Sequence, residues 1–152
     1  MSAQSNTLAD LLQEACKLVK AEPWFMRHGY EAYAQDTGDL NNTLLIKIGQ
    51  TGPGCFIVFF IDGFEPESTS SKNPIGTVTL GAGVTENPKV YRSKPSWKAA
   101  FTVAENLSVY LNHQNVFEHT LHSPKIEFRP EAGLITYKVS FKIQYVLKGL
   151  TQ

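Results

Sequence analysis

Ile135-Thr136-Tyr137-Lys138-Val139-Ser140-Phe141-Lys142-Ile143-Gln144-Tyr145-Val146-Leu147 is the stretch that decides the fold. Ile135, Tyr137, Val139, Phe141, Ile143, Tyr145 and Leu147 fall on one side of a two-residue repeat, and Thr136, Lys138, Ser140, Lys142 and Gln144 fall on the other. That alternation predicts a strand with one buried and one polar face. At roughly 3.3 Å per residue it is about 40 Å long, well beyond the usual strand. Just before it, Ile126 and Phe128 pair with it by pattern through the turn Pro130-Glu131-Ala132-Gly133.

Further upstream the period changes to that of a helix. Over roughly 95–112, Trp97, Ala100, Phe101, Ala104, Leu107 and Leu111 form an apolar stripe, with Pro95 suited to the first turn. Before this helix, Val78, Leu80, Ala82 and Val84 alternate with Thr77, Thr79, Gly81 and Gly83, a strand whose glycine face permits close approach of another backbone. Cys55-Phe56-Ile57-Val58-Phe59-Phe60-Ile61 is apolar on both faces, which requires a cover on each side. It is expected to form a hairpin with the strand of Leu44, Ile46 and Ile48 through Thr51-Gly52-Pro53-Gly54. The polar segment 62–75 between the two apolar strands predicts a mobile loop or an extended hairpin tip.

At the N-terminal end, Leu8, Leu11, Leu12, Ala15, Cys16 and Val19 lie at helical spacing, with Thr7 and Asp10 as a capping pair and Pro23 as the stop. Residues 23–43 carry Trp24, Phe25, Tyr30 and Tyr33, an aromatic segment or short edge strand, followed by turns at Asp36-Thr37-Gly38-Asp39 and Asn41-Asn42. The element order α-β-β-β-α-β-β with short connections predicts a single α+β domain. Its sheet is mostly antiparallel and twisted, and both helices pack on one face.

A chain of 152 residues fits one domain without staples. Fourteen Lys and Arg balance fourteen Asp and Glu, so no overall field draws in nucleic acid or an anionic membrane. Cys16 and Cys55 lie in apolar periodic segments and read as reduced core residues. Met1-Ser2-Ala3-Gln4-Ser5-Asn6 has neither the basic region nor the apolar stretch of a secretory signal, which predicts a cytosolic start and leaves the sequons at Asn41 and Asn106 without weight.

Three clusters invite a chemical reading. Asp36-Thr37-Gly38 is the tripeptide of aspartic proteases, but Gln35 and Asp39 flank it where those enzymes have an apolar strand, so it reads as a surface turn. His113, His119 and His122, with Glu118, are close in sequence, yet they straddle a loop without cysteine help, which makes an ordinary solvent-facing loop the expected reading. Lys89, Arg92, Lys94 and Lys98 surround the start of the second helix, where a dipole favours anions; a solvated basic face is expected. No catalytic residue, metal ligand or cofactor site is assigned.

Taken in order, the N-terminal helix, the apolar strand before a polar excursion, the segment Val84-Thr85-Glu86-Asn87-Pro88-Lys89-Val90-Tyr91-Arg92-Ser93, the amphipathic helix and the alternating last strand resemble the phage tail-completion proteins of the tail-terminator and minor-tail type. The resemblance covers roughly residues 7–147. It implies a structural subunit, without enzymatic activity or cofactor, that forms a homo-oligomeric ring, commonly a hexamer, and contacts a tail-tube or neck protein. It implies no specific nucleic acid and no membrane as partners, and a life in the bacterial cytoplasm and then in the virion tail. The subunit and partner contacts expected on this reading are Phe56, Val58, Phe60, Phe64, Lys89, Arg92, Lys138 and Lys142. The competing class is a small-ligand or metal-binding α+β domain, such as a hydrolase, with its pocket between helices and sheet near the histidine loop.

Overall fold

The computed structural model describes residues 6–27, 30–34, 55–68, 72–86, 99–130 and 135–148. The expected strand at 44–48, the turns at 36–39, 41–42 and 51–54, and the group Lys89, Arg92, Lys94, Pro95, Trp97 and Lys98 lie outside these residues.

Helix α1 runs from Leu8 to Ala21. Its start is the reciprocal capping box that Thr7 and Asp10 announce: the Thr7 hydroxyl accepts from the Asp10 N–H at 3.3 Å, and the Asp10 carboxylate accepts from the Thr7 N–H at 2.9 Å. Glu22 is extended, and Pro23 opens a single helical turn, α2 (Pro23–Arg27), that buries Phe25. Pro23 thus both ends one helix and starts another, since a first-turn position needs no N–H.

Strands β1 (Glu31–Ala34), β2 (Cys55–Ser68) and β3 (Ile75–Glu86) precede helix α3 (Ala100–Leu111). Two-residue strands β4 (Asn115–Val116) and β5 (His119–Thr120) form a small hairpin, and β6 (His122–Phe128) and β7 (Ile135–Val146) complete the main sheet. Its order is β1-β2-β3-β7-β6. All pairings are antiparallel except β1 with β2, which is parallel. The class is therefore α+β with a mixed, mostly antiparallel five-stranded sheet.

β7 lies between β3 and β6, and its alternation decides which face is which. Val139, Phe141, Ile143 and Tyr145 join Ile57 and Phe59 of β2, Val78, Leu80, Ala82 and Val84 of β3, and the apolar stripes of both long helices in one core. Helix α1 covers β1 and β2, while α3 packs on β3, β7 and part of β6. The Tyr110 hydroxyl donates to the Leu18 carbonyl at 2.8 Å and ties the helices together. Burial, reinforced by the Glu22 carboxylate, pushes that phenol up, so it remains a donor.

Of segment 62–75, residues 62–68 and Ile75 are antiparallel strand. β2 continues to Ser68, with register shifts between Ile61 and Gly63 and between Pro66 and Ser68, and β3 begins at Ile75. The start of β3 is held to the end of β7, where the Leu147 N–H donates to the Pro74 carbonyl at 3.0 Å and the Asn73 amide donates to the Leu147 carbonyl at 2.8 Å.

Phe101 corrects the expected stripe of α3. It is 61% exposed, and Val103 is buried instead. Each helical residue turns by about 100°, so with Ala100, Ala104, Leu107 and Leu111 facing the sheet, Phe101 falls on the rim and Val103 falls inside.

Candidate functional site on the outer sheet face and its free edge

The face of the sheet turned away from the helices carries Phe56, Val58 and Phe60 from β2, Thr77, Thr79, Gly81, Gly83 and Thr85 from β3, and Thr136, Lys138, Ser140, Lys142 and Gln144 from β7. Phe56 and Val58 are buried there within the single chain, and the Phe56 ring meets Tyr33 edge-on with centroids 6.2 Å apart. The second apolar face of this strand thus does not by itself demand a neighbouring molecule. Phe60 lies over Gly81, where a Cβ would come within 2.6 Å of the ring. The glycine is open so that a side chain, not another backbone, can approach.

Of the other expected contact residues, Phe60 and Phe64 are half-buried, Lys142 is exposed, and Lys89 and Arg92 lie outside the described residues. Lys138 is the centre of a charge network. Its Nζ is 2.8 Å from Asp62 Oδ2 and 3.2 Å from Glu127 Oε1, and Arg129 donates to Glu127 Oε2 at 2.8 Å. The strand order explains this: Lys138 faces Glu127 directly across the β6–β7 ladder, while Asp62 reaches it from β2. The hydrogen bond to Asp62 raises the Lys138 amine most, followed among the favourable contacts by Glu127. The Lys138 hydrogen bond chiefly holds the Glu127 carboxyl below its ordinary range, helped by Arg129 and Lys125.

These opposite shifts fix the pH window. A raised amine contributes stability that is complete below its ordinary value of 10.5 and is lost as pH rises through the shifted value. A lowered carboxyl contributes stability that is complete above its ordinary value of 4.5 and is lost as pH falls through the shifted value. Lys138→Met is expected to lower stability by about 1 kcal/mol near pH 7, in the range of partly exposed pairs. Urea titrations of both proteins check this, and the gap is expected to narrow as the pH falls below the ordinary glutamate value.

The histidines do not converge. His119 Nδ1 is 2.8 Å from the Gln144 carbonyl, with the ring against Tyr145, and His122 Nδ1 is 2.9 Å from Ser123 Oγ. His113 is in a turn at φ 69°. Among the described residues no three His, Cys, Asp or Glu side chains gather as metal ligands, and no helix is long and apolar enough to cross a membrane. An apolar hollow of about 420 Å³ lies at the start of α1, lined by Thr7, Leu8, Ala9, Tyr145, Leu147 and Lys148.

Two features were not anticipated. Ala99 gives α3 no side-chain cap, and the buried Glu86 carboxylate at the end of β3 accepts from the Ala100 N–H at 2.6 Å instead. An anion at a helix N-terminus is favourable both as an acceptor and through the dipole. The only hint in the sequence is an acid at the end of an alternating strand, with nothing to name its partner.

The second feature is β6. Among the described residues it is the last strand of the sheet, and every residue in it except Glu127 is exposed. Ile126 and Phe128 pair with Val139 and Tyr137 and so share the helix face, yet they are 46% and 55% exposed on this outermost strand. Phe101 lies in the first turn of α3. Glu86, which holds that turn, pairs with Ile135, and Phe128 pairs with Tyr137, so Phe101 and Phe128 share one end of the sheet.

No protein-family model matches the chain, and no curated protein matches it in sequence.

Proposed function

We propose that the chain is a structural assembly protein of the phage tail-completion type, which works through contacts with copies of itself and with a tail-tube or neck protein rather than through catalysis. The supporting observation is the edge at β6, where exposed Ile126 and Phe128 lie beside backbone left unpaired among the described residues. Such an edge is an aggregation hazard unless a partner or a protective device covers it. On this reading the subunit is made in the bacterial cytoplasm, closes into a ring by head-to-tail contact, and ends in the virion tail.

Light scattering coupled to size-exclusion chromatography, with and without purified tail-tube protein, tests this function. A discrete ring, or a stoichiometric complex with the tube, is the expected result. A monomer at every concentration that binds neither tube nor neck protein would overturn it. The hollow at Thr7, Leu8 and Tyr145 favours a second reading, a small apolar ligand site, which predicts a rise in melting temperature with a bound ligand.

A further inference from the structure

We infer that the β6 edge is a two-fold contact: β6 of one copy pairs antiparallel with β6 of a second, centred on Ile126. The backbone geometry selects the residues. The Arg129 N–H donates to the Thr136 carbonyl at 2.7 Å, and residue 129 continues the register in which Glu127 faces Lys138 and Lys125 faces Ser140. In an antiparallel ladder, groups that point toward one neighbour alternate with groups that point away. Lys125, Glu127 and Arg129 therefore turn their backbone groups toward β7, and Pro124, Ile126 and Phe128 turn theirs outward. Among the described residues, none hydrogen-bonds to this outer edge.

A second β6 meets these groups well. With Ile126 opposite Ile126 of the second copy, the two exchange N–H and C=O bonds, and the Phe128 N–H faces the Pro124 carbonyl. Pro124 accepts that bond but has no N–H to return to the Phe128 carbonyl, so each outer pair carries one bond and the central Ile126 pair carries two. Ser123, at φ 57°, and the register shift before Lys125 limit the pairing to this short stretch.

The side chains commit the occupant to a second copy. In this register Lys125 stands opposite Glu127 twice, once on each side of the axis, as a close pair that does not share backbone bonds. A strand with Lys and Glu flanking a central apolar residue is thus complementary to itself when reversed. Lys125 is 69% exposed, and its own bridge to Glu127 spans 3.8 Å, so little ties it down within the chain. On the opposite face the two Ile126 side chains meet each other, and each Phe128 meets Pro124. The contact closes on itself. It therefore stands whether or not the chain builds a tail ring: alone it makes a dimer, and added to a head-to-tail ring it joins two rings.

Sedimentation velocity on the full chain tests the contact. Wild type is expected to show a concentration-dependent two-fold association. Lys125→Glu, which places Glu opposite Glu twice, is expected to weaken it at least about tenfold, as like charges directly opposed are unfavourable. Glu127→Lys alone is expected to do the same. An equimolar mixture of the two variants is expected to associate again, since a strand carrying two glutamates then meets a strand carrying two lysines. Circular dichroism checks that each variant is folded, and if Glu127→Lys is not, Lys125→Glu alone decides. A wild type that stays monomeric at high micromolar concentration overturns the inference and leaves the edge to a strand of another protein. An association that Lys125→Glu leaves unchanged overturns it too, even where the ring of the proposed function is present.

Discussion

Phe141→Asp is expected to leave no cooperatively folded protein. Phe141 is 1% exposed at the centre of β7, paired with Leu80 and facing the helices. The substitution removes a large apolar side chain, worth about 3–5 kcal/mol, and sets an unpaired carboxylate in its place. Together these match or exceed the roughly 5–15 kcal/mol that holds a typical domain together. Phe59→Asp is expected to behave alike, since Phe59 is 0% exposed on the same face of β2. Lys142→Asp is the control: it is the next residue of β7, exposed on the outer face, and its stability is expected to shift by no more than about 0.5 kcal/mol. Far-UV circular dichroism and soluble yield separate the outcomes. A folded Phe141→Asp beside an unfolded Lys142→Asp would mean that the two faces of β7 had been exchanged.

Gly76→Ala is the second large effect, at about 2–3 kcal/mol, the scale of overpacking against atoms that cannot yield. A Cβ on Gly76 would meet the Glu65 carbonyl oxygen and come within 2.8 Å of the Pro66 Cα, both backbone atoms of β2. β3 cannot move aside, because Gly76 also pairs with Tyr145 of β7. The strain is steric and not conformational, as Gly63 is the one described glycine with positive φ. Gly83→Ala makes the contrast. Its nearest neighbour is Phe60 Cε1 at 3.9 Å, an ordinary contact, and stability is expected to hold or rise slightly as the unfolded chain loses freedom. Thermal melts of the two variants, identical in chemistry, would then differ by many degrees. Equal melts would show that the β2–β3 hairpin is looser at its far end than its register implies.

The glycines show how far the sequence carried. The alternation of β3 was plain, and so was the need for room beside its small residues. What used the room was not: at Gly81 it is a phenylalanine ring from the neighbouring strand, and at Gly76, outside the stretch where the pattern was read, it is backbone. The charge network has the same character. Asp62, Glu127 and Lys138 are each ordinary in sequence, and only the order β2-β3-β7-β6 sets Lys138 between two carboxylates.

Whatever depends on neighbours a few residues apart was legible in the residues alone: the capping box at Thr7 and Asp10, the apolar stripe of α1, the two faces of β7, and the α+β class that follows from their order. It took the folded chain to fix that β1 runs parallel to β2, that Glu86 caps a helix beginning 14 residues later, and that Ile126 and Phe128 are exposed despite an alternation that implies burial. Periodicity records that a segment has two distinct faces, because that is a property of the local backbone. What lies against each face depends on residues far away in the chain, and at the edge of a sheet nothing within the strand marks where the cover ends.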